Sequence, residues 1–302
     1  MSQILDLIII GSGPAGMSAA IYANRAGLNT ILLERNPLTG GQVLLTYEVD
    51  NYPGIPGTDG AGLAEAFRNH ALSMGVDIRC EEVVKVEAGD IKTVITDKNT
   101  YNSKAVIFAT GAGHNKLGVP GEAELTGMGV SYCATCDGAF FKGLEVCVVG
   151  GGDVAVEDAI YLARACSKVY LIHRRDELRA AKSLQAKLFA LDNVEVIWDT
   201  TVLSVNGEDE VESVTLENVK TKEKCTLEVF GVFMAVGITP NSKAFEHPLK
   251  MDEKGFIIAG EDGRTSENGI YAVGDVRTKA LRQIITAASD GANAIFSVEA
   301  DL

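Results

Sequence analysis

Positive charge is scarce in this chain. It carries 27 Lys and Arg against 41 Asp and Glu, a formal net charge of −14 over 302 residues. That balance excludes nucleic acid and anionic membrane surfaces as partners, because both are bound through an excess of basic side chains. Any anionic cofactor must instead be met by local arginines or by helix N-termini. Long apolar runs are missing too, so no segment reads as a membrane span. The start, Met1-Ser2-Gln3-Ile4-Leu5-Asp6, lacks the basic stretch and cleavage site of a secretory signal, which predicts a cytoplasmic protein. A second Cys-x-x-Cys or a spaced His pair is also missing, so nothing completes a structural zinc site around Cys133 and Cys136. The other cysteines, Cys80, Cys147, Cys166 and Cys225, are scattered and are expected to be buried as small apolar side chains.

What is abundant is patterned. The 32 glycines fall in turns between periodic segments rather than in low-complexity runs. Leu5 to Ile10 reads as a buried parallel strand and runs into Gly11-Ser12-Gly13-Pro14-Ala15-Gly16. A helix is expected from Met17 to Ala26, then a strand from Thr30 to Leu33 ending in Glu34. Strand, glycine turn, helix, strand and acid make up a dinucleotide-binding fingerprint. Gly11 serves the tight turn, Gly13 the approach of a pyrophosphate and Gly16 close helix packing, with Glu34 placed for a ribose hydroxyl. Gly40-Gly41-Gln42 and Asp50-Asn51-Tyr52-Pro53-Gly54 read as turns. Residues 61 to 74 read as an amphipathic helix with Leu63, Ala64, Phe67 and Ala71 on one face. Val83 to Val86, Thr93 to Thr96 and Ala105 to Ala109 read as a small meander ending at Thr110-Gly111.

The design then repeats. Glu145 to Val149 is an apolar strand, Gly150-Gly151-Gly152-Asp153-Val154-Ala155 a second glycine turn, and a helix is expected from Val156 to Ala165. The next strand, Val169 to Ile172, ends not in an acid but in His173-Arg174-Arg175, with Arg179 one turn later. Arginines at that position favour a 2′-phosphate, hence NADP over NAD. A second meander spans Thr201 to Val236. Pro240-Asn241 and the stretch Gly113 to Gly121 read as hinges. Ile270 to Val273 is a returning strand followed by Gly274-Asp275, and Arg282-Gln283 opens a final helix. The expected fold is α/β: two Rossmann-like nucleotide-binding domains with inserted meanders, the second domain inserted into the first. The boundaries are 1–113, 114–241 and 242–302. Between the two glycine turns lies Cys133-Ala134-Thr135-Cys136-Asp137, a pair spaced for thiol–disulfide exchange.

Taken together these motifs closely resemble the low-molecular-weight thioredoxin reductases over essentially the whole chain. The resemblance implies FAD on the first unit and NADPH on the second. Around the flavin it places the Gly11–Gly16 turn, Glu34, Gly40, Gly41, Gln42, Asn51, Gly111, Gly274, Asp275, Arg282 and Gln283. Around the nicotinamide nucleotide it places Gly150, Gly152, Asp153, Val154, His173, Arg174, Arg175 and Arg179. It implies a redox disulfide in which Cys136 faces the flavin, Cys133 attacks the partner and Asp137 is the general acid or base. It also implies a homodimer, thioredoxin as protein substrate, and rotation of the second domain between half-reactions. Two departures stand out. Family members usually carry Ser or Thr where this chain has Val154. The segment Gly111-Ala112-Gly113-His114-Asn115-Lys116 also lacks an arginine often found there. Some relatives use ferredoxin as electron donor, and a different thioredoxin-like acceptor is the other alternative.

Overall fold

The computed structural model describes residues 4–46, 49, 51–242 and 249–302. Met1–Gln3 and the Asp50 of the expected Asp50–Gly54 turn lie outside the described residues. The chain divides into two compact units, Met1–Gly113 with Thr239–Leu302, and His114–Ile238. The first unit opens with β1 (Ile4–Ile10), α1 (Pro14–Arg25), β2 (Thr30–Glu34), α2 (Gly60–Ser73), β3 (Asp77–Cys80), β4 (Val83–Glu87), β5 (Lys92–Thr96) and β6 (Thr100–Phe108). The chain leaves through β7 (Ala112–His114). The second unit holds β8 (Val130–Ser131), α3 (Ala134–Asp137), β9 (Glu145–Gly150), α4 (Asp153–Leu162), β10 (Lys168–Ile172), α5 (Lys182–Phe189) and β11 (Val194–Ile197). It continues with β12 (Thr200–Asn206), β13 (Ser213–Asn218), β14 (Lys224–Glu228) and β15 (Gly231–Ala235). The chain returns through β16 (Ile238–Pro240), which pairs with β7, to β17 (Ile270–Ala272) and α6 (Ile284–Asp301).

In the first unit β3, β2, β1 and β6 run parallel, β17 joins the far half of β6, and β5 and β4 continue the sheet antiparallel as a hairpin. β1 is apolar throughout because both of its faces are covered. Leu7 and Ile9 enter one core with α1 and α6, and Ile8 and Ile10 enter the other with Val86 and Val94 of the hairpin. The second unit repeats the plan, with the parallel order β11-β10-β9-β15-β8 and a separate antiparallel meander, β12-β13-β14. Val146 and Val148 of β9 pack under α4 and α5, whereas Cys147 and Val149 face the meander.

The fold is the expected doubly nucleotide-binding α/β type. Some details differ from the sequence reading. α4 starts three residues earlier than expected, because the helix begins directly at the glycine turn, with Gly152 as its N-cap. Cys147 and Cys166 are buried as expected, but Cys80 and Cys225 are exposed. Both lie on strands at a sheet edge, β3 and β14, where a side chain has a neighbouring strand on one side only.

Gly291, inside α6, is an example of a helix-breaking residue kept for packing. A Cβ there would stand 2.2 Å from the Ala15 carbonyl oxygen of α1, so only glycine lets the two helices cross this closely. Next to it in α6, Asp290 is buried with Arg277 and Lys279. Its carboxylate accepts from Arg277 Nη2 at 2.7 Å, Arg277 Nε at 2.8 Å, Lys279 Nζ at 2.9 Å and the Gly274 amide at 2.9 Å. Burial opposes the charge, but these donors outweigh it and hold the Asp290 pKa below its usual value. Its stabilisation is therefore complete above the pKa of an unfolded Asp, about 3.9, and is lost as the pH falls through the depressed folded value. Asp290→Asn is expected to cost about 3–5 kcal/mol, since two cations are left buried without their partner. Thermal unfolding at neutral pH measures this loss, which shrinks at pH 3.

Candidate functional site

Two glycine turns, one in each unit, are built alike. In the first, a Cβ on Gly11 would stand 2.4 Å from the Ala109 carbonyl, and one on Gly16 would stand 1.9 Å from the Gly11 carbonyl. Both glycines are thus required by the protein's own packing. Gly13 is different: a Cβ there would meet nothing nearer than the Gly40 carbonyl at 3.9 Å. In the second turn a Cβ on Gly150 would stand 2.4 Å from the Ala235 carbonyl and one on Gly151 2.2 Å from the His173 ring, while one on Gly152 would meet nothing within 4 Å. In each turn, then, the glycine at the head of the helix is the one that packing does not demand. That is the position where a pyrophosphate approaches the backbone. α1 starts there with Gly13 as N-cap and Pro14 in the first turn, and no acid stands in that turn.

Around the first turn the expected flavin residues are brought together. Gly40 donates its amide to the Ser12 carbonyl at 3.2 Å, and a Cβ on Gly41 would contact Gly13 Cα at 3.5 Å. Asn51 Nδ2 donates to Gln283 Oε1 at 3.0 Å, across 232 residues of sequence, and Gln42 Nε2 donates to the Ala112 carbonyl at 2.9 Å. Gly111 has a positive φ of 68°, and its carbonyl accepts the Asn241 amide at 3.0 Å. Glu34 is buried. Its Oε2 accepts from the Ser12 amide at 3.0 Å and the Ser12 hydroxyl at 2.6 Å, and its Oε1 from the Asn36 amide at 2.9 Å and Asn36 Nδ2 at 3.2 Å. The acid read from sequence as a ribose contact therefore also clamps the glycine turn.

At the end of β17, Gly274 packs on Ala15 and leads into Asp275. Asp275 Oδ1 and Arg282 Nε are both buried without a hydrogen-bond partner. Burial pushes the Asp275 pKa up, against the pull of Lys279 and Arg282, and it pushes that of Arg282 down. The Arg282 guanidinium lies 4.2 Å from the centre of the Phe256 ring. Buried polar atoms without partners are rare in folded proteins. An acceptor and a donor left bare close to the Gly11–Gly16 turn suit a ring edge bearing amide groups, as a flavin has.

In the second unit, His173 ends β10 under Gly151, with Nε2 at 3.0 Å from the Glu177 carbonyl oxygen. Burial lowers its pKa, which favours the neutral ring. Arg174, Arg175 and Arg179 are exposed, and none of them makes an ion pair among the described residues. The Arg179 amide donates to the Gly151 carbonyl at 2.8 Å, which anchors the arginine loop to the glycine turn. Asp153 is occupied in a way the sequence does not show: Oδ1 accepts the Ala181 amide at 2.8 Å, tying the start of α4 to the start of α5. Val154 is exposed in the first turn of α4.

Cys133 and Cys136 form a disulfide with Cα atoms 5.3 Å apart; Cys133 is the N-cap of α3 and Cys136 lies within its single turn. Cys133 Sγ is 3.4 Å from the Thr135 hydroxyl. Asp137 closes the turn and is partly buried. Burial pushes its pKa up, and a hydrogen bond from Ser131 pulls it partly back. The Ser131 hydroxyl is 2.6 Å from Asp137 Oδ2, while Asp137 Oδ1 is buried with no partner. Sequence reasoning missed Ser131. It sits two residues before the first cysteine, and only the pairing of β8 with β15 turns it toward Asp137.

Comparisons with known proteins give the family. The family model for pyridine nucleotide-disulphide oxidoreductases matches residues 5–291. The thioredoxin reductase of Peptoclostridium acidaminophilum is 44% identical over 309 residues, covering 99% of this chain and 97% of its own. That of Bacillus subtilis (strain 168) is 46% identical over 299 residues, covering 98% and 94%. The crystal structure of thioredoxin reductase from Streptococcus pyogenes superimposes with a TM-score of 0.95 at 46% identity, covering 99% of this chain and 98% of that one.

Proposed function

This chain belongs to the pyridine nucleotide-disulphide oxidoreductase family, and from that premise we propose that it is a thioredoxin reductase, carrying electrons from NADPH through FAD and the Cys133–Cys136 disulfide to oxidised thioredoxin. The observation that carries this reading is the disulfide itself, closed beside a partly buried carboxyl group with one bare, buried oxygen. The flavin, when bound, supplies a two-electron carrier between nicotinamide and disulfide.

The chain's own residues do the rest. Gly13 and the start of α1 take the pyrophosphate of FAD. When FAD is bound, Asp275 Oδ1 and Arg282 Nε would hold the flavin and would gain the hydrogen-bond partners they lack. The Asn51–Gln283 bond orders the same edge. Glu34, which holds the Ser12 amide and hydroxyl, would be the acid beside the ribose of FAD. Gly152 and the start of α4 take the pyrophosphate of NADPH, and Arg174, Arg175 and Arg179 take its 2′-phosphate. These three unpaired cations favour NADPH over ferredoxin as donor.

Once the disulfide is reduced, Cys133 as thiolate attacks a sulfur of the thioredoxin disulfide. A mixed disulfide forms, and the departing thioredoxin sulfur takes a proton from Asp137. Asp137 then removes the Cys136 proton. The Cys136 thiolate attacks Cys133 Sγ, the internal disulfide closes, and the second thioredoxin sulfur leaves and is protonated from water. Two electrons and two protons reach thioredoxin. Cys136 and the nicotinamide site share the second unit, while the flavin site is on the first, so the second unit rotates between half-reactions. The working form carried over from the resemblance is a homodimer.

Anaerobic titration of the FAD-loaded protein tests the donor. NADPH is expected to bleach the flavin absorbance fast and stoichiometrically, and NADH far more slowly. Bleaching by neither would remove NADPH from the scheme and leave ferredoxin as the donor to try.

A further inference from the structure

We propose that Ser131 is a positioning residue for this exchange: its hydroxyl holds Asp137 so that the transferable proton sits on Oδ1 and not on Oδ2. The inference rests on the functional reading above and on a count of protons. The Ser131 hydroxyl has one proton to give and accepts the Cys133 amide at 3.0 Å. Its proton has two candidate acceptors, Asp137 Oδ2 at 2.6 Å and the Cys133 carbonyl at 3.4 Å. The shorter contact is a hydrogen bond of charge-assisted length, and the longer one is marginal.

If the carboxyl proton sat on Oδ2 and pointed at Ser131, the hydroxyl proton would be left with only the 3.4 Å contact. The arrangement would also fail when Asp137 ionises, because the hydroxyl would then have to rotate. Donation from Ser131 to Oδ2 serves both charge states without any movement. The proton of the neutral acid is thereby placed on Oδ1, the oxygen that is buried without a partner. Ser131 can do this because it is 5% exposed and because β8 holds it in register with Phe233 of β15. The same hydroxyl caps the Cys133 amide, so the acid and the attacking cysteine share one anchor.

The step served is the one written above. The Cys133–thioredoxin S–S bond forms, the thioredoxin S–S bond breaks, and the leaving sulfur takes the Oδ1 proton. A Ser131 hydroxyl that merely filled space would affect stability but not the proton. The test is therefore a titration that needs no thioredoxin. In the FAD-loaded protein, the infrared carboxyl band that disappears in Asp137→Asn reports the ionisation of Asp137. Ser131→Ala removes a bond that favours the carboxylate, so the band is expected to persist to higher pH, by about one unit. Ser131→Thr keeps the hydroxyl and should titrate like the parent. Ser131→Cys, with a weaker donor, should fall between them and serves if the alanine variant does not fold. Stopped-flow mixing of the reduced protein with thioredoxin should show a transfer about tenfold slower in Ser131→Ala, while flavin reduction by NADPH is unchanged. An Asp137 band that titrates identically in all three variants would overturn the proposal. A parent protein that fails to reduce thioredoxin would instead count against the functional reading, with the infrared result still standing.

Discussion

Cys136→Ser is expected to leave flavin reduction by NADPH at its parent rate and to cut thioredoxin-coupled turnover by at least about three orders of magnitude. The asymmetry follows from where the sulfur stands in the sequence of steps. The two glycine turns, Gly11–Gly16 and Gly150–Asp153, to which the proposed function assigns the flavin and the nucleotide, do not involve Cys136, so the first transfer survives. The second cannot proceed, because a hydroxyl neither accepts the electron pair as a disulfide does nor resolves a mixed disulfide. Cys133 remains and can still exchange with thioredoxin once. With its partner thiol gone, the covalent adduct has no internal route to release. The variant should therefore accumulate a reducible complex with thioredoxin, visible on a non-reducing gel. Cys133→Ser should lose turnover equally but form no such complex, since the attacking sulfur is then missing. If Cys136→Ser kept turnover within tenfold of the parent, electrons would be leaving the flavin by another route and the disulfide relay would be wrong.

Replacing Arg174 and Arg175 together by Ala is expected to raise the KM for NADPH about 100-fold and to leave the KM for NADH nearly unchanged. Each arginine offers a charge-assisted, often bidentate contact to a phosphate, worth about 1.5–3 kcal/mol. Both side chains are exposed, so the lower figure applies, and two of them give about 3 kcal/mol, or roughly two orders of magnitude. The neighbouring charges show why this cluster is not ordinary surface. Lys220 reaches Asp199 at 2.8 Å and Asp176 at 3.2 Å, so even the nearest acid in sequence is engaged elsewhere. Three like charges are left beside a glycine turn in a protein of net charge −14. Steady-state kinetics with both nucleotides measures the effect. An unchanged KM for NADPH would mean that the phosphate lies elsewhere.

Much of this site was legible in the sequence because glycine spacing encodes it directly. Gly11, Gly13 and Gly16 were assigned three different duties from their order alone, and the room for an added Cβ sets Gly13 apart from the two that packing requires. The arginines after β10 were legible because they replace an acid at a fixed strand end. Other residues were hidden for physical reasons. For Asp137, which the resemblance named as the general acid or base, only the environment was hidden. What makes it unusual is burial and a bare oxygen, and neither has a sequence pattern. Ser131 acts through a strand of two residues, too short to leave an alternation. Gly291 reads as a weakness in α6 until the Ala15 carbonyl of α1 is placed against it. Cys80 and Cys225 looked like the other cysteines, because a sheet edge is a property of topology and not of composition. Asp290 reads as an ordinary helix acid, and its two cations lie 13 and 11 residues away.

The interrupted first unit also sets an order of events during synthesis. β6 needs β17 to complete its pairing, and α1 needs α6 to cover its face. These partners are separated by more than half the chain. The second unit, His114–Ile238, is continuous and has all of its strands once Ala235 has emerged from the ribosome. The part that begins first therefore finishes last. Until α6 is made, Leu7, Ile9 and Met17 lack the part of their core that α6 supplies, and apolar surface is left exposed at the N-terminal end of the nascent chain. A chain cut short before Ile270 would release a folded dithiol unit attached to a flavin unit with no last strand, no Asp275 and no Arg282.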